Sequence, residues 1–161
     1  DLALALERLG AESAEIRDAS AALGGYNEAV RVRRELVRAD PENVEARRAL
    51  ATTLHTLGLT RKFNNNTTGA IRSLTEAAEL RLALVEENPR DRRAAYDAAD
   101  SFQQAAVVQA GVNGAAARRS LERARAIVAQ LVSDFPNNAR YAEALRRTDE
   151  MLQIINTSAS N

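Results

Sequence analysis

Three stretches of the chain repeat one apolar pattern, and each is closed by a proline. Counted back from Pro41, Pro89 and Pro136, the fourth residue is Val37, Val85 or Val132 and the fifth is Leu36, Leu84 or Leu131. The ninth is Val32, Leu80 or Ile127, the twelfth Ala29, Ala77 or Ala124, and the fifteenth Tyr26, Leu74 or Leu121. Such offsets draw a single stripe along an α-helix. Proline, which has no N–H to donate and crowds the preceding turn, ends it. The prolines stand 48 and 47 residues apart, a period that marks stacked helical hairpins. The pattern describes a repeat scaffold organised around its middle copy, 75–91.

The other half of each hairpin repeats as well. Leu2, Ala3, Leu6, Leu9 and Gly10 correspond to Leu50, Ala51, Leu54, Leu57 and Gly58, and then to Ala98, Ala99, Phe102, Ala105 and Ala106. A small residue at Gly10, Gly58 and Ala106 lets a partner helix approach, with Ala29, Ala77 and Ala124 expected as the small residues opposite. Gly58 inside a helix costs about 1 kcal/mol against Ala, so a packing gain must offset it.

Taken in order, the pattern predicts helices over 2–23, 26–39, 44–61, 70–87, 92–110, 115–133 and 139–155. The first carries Leu2, Leu6, Leu9, Ala14 and Ile16, and Gly24-Gly25 is expected to break it. Asn43, Asp91 and Asn138 each follow their proline by two residues and are expected to cap the next helix by accepting a free backbone N–H. Lys62–Gly69, rich in Asn and Thr, is expected to be a loop, and Gly111–Gly114 a turn. Tyr141, Leu145, Leu152 and Ile155 share one side of the last helix. The polar tail Asn156–Asn161 is expected to fray. The repeats therefore run over about 1–42, 43–90 and 91–137, with a final helix over 138–155.

Composition narrows the class. The chain has 161 residues, 45% apolar and 27% charged, with 4% aromatic. It is large enough for one core, packed mainly by Ala and Leu. Twenty-two basic residues balance 22 acidic ones, so no net field draws it to nucleic acid or to an acidic membrane. There is no Cys, and the redox compartment stays open. No stretch has the length of a membrane span. The first residues already follow a helical pattern, which reads as a piece of a longer chain.

The two half-repeats together resemble the tetratricopeptide repeat, whose pattern is W-x2-L-G-x2-Y, then A-x3-F, then P. Here the first part reads Leu54-x2-Leu57-Gly58 and Leu6-x2-Leu9-Gly10. The second reads Ala29 with Pro41, Ala77 with Pro89, and Ala124 with Pro136. The period exceeds that family's about 34 residues. Arg33, Arg81 and Val128 stand where its second-helix aromatic belongs, and Arg61 where its Tyr belongs. The runs through Arg48, Leu50, Ala51, Leu54, Leu57 and Gly58, and through Ala77, Leu80, Arg81, Leu84, Val85 and Pro89, are similar to arrays in bacterial signalling proteins such as serine/threonine kinases. The resemblance implies an all-α fold: a right-handed superhelix of stacked antiparallel hairpins with a C-terminal capping helix.

Candidate chemistry is sparse. His55 is the one histidine, without the second His or Cys that a metal site or a triad needs. Carboxylates such as Glu86-Glu87 and Asp97 with Asp100 sit on Arg-rich helices, where ion pairing one turn apart is their usual role. No phosphate-cradling glycine motif is present. Arg33 and Arg81, eight residues before their prolines, are expected to lay their stems on the core and give their guanidinium groups to a carboxylate or a helix end. The Arg pairs at 33–34, 47–48, 92–93, 118–119 and 146–147 lack the aromatic interleaving of an RNA surface. Asn65-Asn66-Thr67, Asn66-Thr67-Thr68 and Asn156-Thr157-Ser158 match the glycosylation pattern and are read as polar loop residues.

The expected function is a non-catalytic scaffold in the cytoplasm. Its partner is a protein or peptide, with no nucleic acid, membrane, cofactor or metal, and self-association is left open. The alternative is a regulatory or self-associating segment of a larger signalling enzyme, a bacterial serine/threonine kinase. In the resembling family the first helix of each hairpin lines the concave face. Here that implies Leu4, Glu7, Arg8 and Ala11, then Thr52, His55, Thr56 and Leu59, then Asp100, Gln103, Gln104 and Val107. This mix of short polar and isolated apolar side chains suits an extended peptide or a helix.

Overall fold

The computed structural model describes residues 2–15 and 18–158, and among them every regular element is an α-helix. In order these are α1 (Leu2–Glu15), α2 (Ala19–Ala39), α3 (Val44–Phe63), α4 (Thr67–Glu87), α5 (Arg92–Ala110), α6 (Gly114–Asp134) and α7 (Ala139–Ser158). The fold is all-α, built of helical hairpins as the period predicts. It divides inside α4 into two compact units, 1–80 and 81–161.

Each helix from α2 to α7 begins at an Asp or Asn that accepts a backbone N–H from its first turn. Asp18 takes it from Ala21, Asn43 from Ala46 and Asn66 from Gly69. Asp91 takes it from Ala94, Asn113 from Ala116 and Asn138 from Arg140. These bonds satisfy donors that the helix itself leaves unpaired. Asn43, Asp91 and Asn138 are the three expected caps.

Asp18 corrects the first boundary. It caps α2, and Gly24-Gly25 lies inside that helix. Gly25 is there for contact: a Cβ on it would meet the Leu6 carbonyl oxygen at 2.8 Å and the Gly10 nitrogen at 2.9 Å. Two further expectations are shortened. The 62–69 loop is a tight turn, with Asn65 alone in the left-handed region at φ 57°. Asn admits that conformation better than most residues. Residues 156–158 continue α7. Ile16 and 159–161 lie outside the described residues.

In the first unit, Gly10 faces Tyr26 and Glu7 reaches Arg33, so α1 and α2 run antiparallel. Tyr26, Val30, Leu50, Leu54, Leu57 and Ala77 form its core, flanked by Leu23, Val37 and Leu80. The Gly58 position receives a large residue rather than a small one: Leu74 Cγ would lie 2.6 Å from an added Cβ. Tyr26 fills the same role against Gly10. At Gly58 the close approach is a knob entering a hole, whereas Gly10 also meets a small residue, Gly25; Ala29 and Ala77 are both fully buried.

In the second unit α5, α6 and α7 pack in sequence. Ala106, Ala117 and Leu121 form one cluster, covered by Met151, Leu152 and Ile155 of α7. Phe102 is buried, with the Arg123 guanidinium 4.2 Å from its ring centroid. Where the two proline turns meet, Tyr141 lies 5.8 Å from Tyr96 and 6.2 Å from Phe135, and Arg140 stacks 4.1 Å above Tyr96. These contacts fix the start of α7.

Candidate protein-interaction surface

The side of the first unit formed by α1 and α3 is joined by one polar node. The Thr53 hydroxyl donates to Glu7, and Arg33 donates Nε–H and Nη2–H to the two oxygens of the same carboxylate at 2.9 and 3.0 Å. Arg33 is thus the packed stem with a carboxylate partner expected from its position. Beside the node, Leu4, Arg8 and Ala11 are exposed on α1. On α3, Thr52 is exposed while His55, Thr56 and Leu59 are half-buried. The Thr52 and Thr56 hydroxyls donate to carbonyls one turn back, at 3.0 and 3.2 Å. Their oxygens remain able to accept from a ligand. The three residues of α1 lie about one turn apart, the spacing a docked helix or strand would meet.

In the second unit Asp100 and Gln104 are half-buried and Val107 is exposed. Gln103 is not an outward contact. It is 3% exposed and faces α7. Its Nε2 donates to the Thr148 hydroxyl at 2.6 Å, and its Oε1 accepts from Arg147 at 2.7 Å. Glu7 and Gln103 occupy the same place in the repeat, and α7 lies along α5 as α3 lies along α1. That position is an inter-helix seam whose other half is the hydroxyl of Thr53 or Thr148. The seam carries a signal in the sequence: Thr53, Ser101 and Thr148 recur at the same intervals as the prolines.

Ser101, the middle member, accepts from Arg81, which also donates to the Asp97 carbonyl at 3.0 Å. Arg81 is 7% exposed, and burial holds its guanidinium below the usual arginine range, with Asp97 and Asp100 opposing that shift. Its role is to tie α4 to α5. No group of three His, Cys, Asp or Glu side chains comes together to hold a metal among the described residues. None of their helices is long and apolar enough to cross a membrane.

No protein-family model and no curated protein matches the sequence. Among solved structures, a chain of the DHF58 filament matches over 96% of this chain and 79% of its own, at 16% identity and a TM-score of 0.50. The MamA protein matches over 99% and 87%, at 20% identity and a TM-score of 0.33. The first of these is a likeness of fold.

Proposed function

We propose that this helical-repeat chain is a non-catalytic scaffold that binds a peptide or a helix of another protein on the face of α1 and α3 in the first unit; Asp100, Gln104 and Val107 of α5 are proposed as a partner-binding set of the second unit taken by itself. The observation that carries the reading is the line of exposed Leu4, Arg8 and Ala11 beside exposed Thr52. Its apolar and polar groups alternate over a base locked by the Glu7–Arg33–Thr53 node. A rigid base lowers the entropic cost of ordering a ligand. The test is selection of random peptides on the immobilised chain, followed by binding to a Leu4→Glu, Thr52→Glu variant. Selected peptides are expected to lose at least tenfold in affinity while the melting temperature holds. Peptides that bind both proteins equally refute this face.

A second reading places the chain within a larger cytoplasmic signalling protein, a bacterial serine/threonine kinase, where it self-associates. Likeness to a protein that assembles as a filament favours the self-association, and the runs around Arg48 and Arg81 favour the kinase. Sedimentation over a concentration series tests assembly, and the full reading frame tests the kinase. A monomer at all concentrations removes the first part.

A further inference from the structure

The first unit holds a cationic cavity of about 360 Å³ between α2, α3 and α4, away from the α1–α3 face. Arg31, Arg34 and Arg38 of α2, Arg61 of α3 and Arg72 of α4 line it, with Glu76 as the one carboxylate in the wall. The charges are incompletely balanced. Arg31 pairs with Glu28 and Glu35 on its own helix, at 2.5 and 2.6 Å, and Arg34 with Glu76 at 2.6 Å. Arg61 gives its hydrogen bonds to neutral groups, to Asn27 and Ser73 at 2.7 Å each and to the Gly69 carbonyl at 3.3 Å, while the Glu76 carboxylate attracts it from nearby. Arg38 and Arg72 are exposed and form no ion pair among the described residues. Five guanidinium groups against Glu28, Glu35 and Glu76 leave a local excess of two positive charges.

Two further features raise the value of that excess. The floor is made by Val30, Leu54 and Leu57, each at most 4% exposed, and a low-dielectric floor strengthens the field above it. Arg61 is held below the usual arginine range by burial and by the nearby Arg72 and Arg34, so like charges are gathered against their own repulsion. A bound anion would relieve that repulsion.

We propose that this cavity is a docking site for an acidic peptide segment of a partner protein, bound through its carboxylates. The arginines form a row rather than a cup. Arg31 to Arg38 span seven residues of α2, about 10 Å at helical rise, with Arg72 and Arg61 across the cavity. Such a row matches carboxylates two to four residues apart on a peptide, each able to take a guanidinium fork. A single compact anion reaches only part of it.

The test is fluorescence anisotropy with a labelled peptide that alternates Glu and Ser, against the same peptide with Gln in place of Glu. The Glu peptide is expected to bind, the Gln peptide not, and binding should weaken steadily with salt. Arg38→Glu with Arg72→Glu should lower affinity at least tenfold at unchanged melting temperature. Arg118→Glu with Arg119→Glu, the same change of net charge on exposed α6, should lower it less than threefold. Should the first pair disturb folding, Arg38→Gln with Arg72→Gln replaces it, with the same loss expected. Unchanged binding in the cavity variants, equal loss in both double variants, or displacement by pyrophosphate at concentrations well below those of unlabelled peptide each overturns the proposal, the last in favour of a small-anion site.

Discussion

Gln103 and Thr148 meet across the α5–α7 seam at 2.6 Å, with the amide donating to the hydroxyl and the hydroxyl in turn donating to the Ala144 carbonyl. Both ends of the Gln103 amide are satisfied, since Arg147 donates to its oxygen. Gln103→Ala removes the bridge and leaves a void in a buried position. The expected loss is about 1–3 kcal/mol of stability, read as a lower midpoint in urea unfolding. Gln103→Glu, which keeps the acceptor for Arg147, should lose less. An unchanged midpoint for the alanine variant would show that α7 is held by its apolar face alone.

Glu7 and Arg33 make the corresponding node in the first unit, and their side chains are 21% and 11% exposed. A carboxylate with two parallel guanidinium bonds is the strong form of the ion pair, and screening by water is limited at this depth. The double-mutant cycle of Glu7→Gln and Arg33→Met is expected to give a coupling of about 1–3 kcal/mol. Each single change leaves a partner under-satisfied and should cost more than the double change. Additive costs would mean that the pair contributes nothing beyond its separate packing.

The period of the prolines and the stripes before them were legible because both are local. An apolar residue every three or four positions, a closing proline and an Asn or Asp two residues later need no knowledge of the neighbours. Gly24-Gly25 misled for the opposite reason. Glycine serves a turn and a close helix contact alike, and only the Leu6 carbonyl opposite Gly25 decides between them. The competing signal was Asp18 followed by Ala-Ser-Ala-Ala, a cap before helix formers. Helical angle sets Gln103 beside Gln104, but it does not say which neighbour covers a residue, and α7 covers this one. The arginine cavity had no local signal at all. Arg34, Arg61 and Arg72 are brought together by the stacking of three helices.

Two exposed glutamates make a pH-dependent prediction. The hydrogen bond from Arg31 holds the Glu28 carboxyl below the ordinary glutamate range, and that from Arg146 does the same for Glu143. A carboxyl depressed in the folded state contributes stability above its unfolded value, and that contribution is lost as pH falls through the folded value. Both pairs are solvent-exposed, so the effect on unfolding is small and screened by salt. It is best read directly: in a carboxyl NMR titration Glu28 should ionise below the ordinary glutamate range, and Arg31→Ala should return it to that range. A Glu28 titration indifferent to Arg31 would mean that the bond is not kept in solution.

The glycines of α2 and α3 separate two opposing effects of one substitution. Replacing a helical Gly by Ala gains up to about 1 kcal/mol, because the chain loses less freedom on folding. Gly24 is exposed, and nothing lies within 4 Å of where its Cβ would be, so Gly24→Ala should raise the unfolding midpoint by the full gain. Gly58 has the same propensity to offer, but its Cβ would stand 2.6 Å from Leu74 Cγ, 3.0 Å from Leu74 Cδ2 and 3.2 Å from the Leu74 backbone nitrogen. The side chain could turn away; the backbone atom cannot without moving α4. Overpacking of this kind costs about 1–3 kcal/mol, which exceeds the gain, so Gly58→Ala should lower the midpoint. Leu74→Ala alone should cost about 2–5 kcal/mol as a fully buried truncation. In the Gly58→Ala background it should cost less, because the new methyl group takes part of the vacated space. Three unfolding curves beside the parent measure all of this. A stabilising Gly58→Ala, or a Leu74→Ala cost that is the same in both backgrounds, would show that the glycine serves no close contact between α3 and α4.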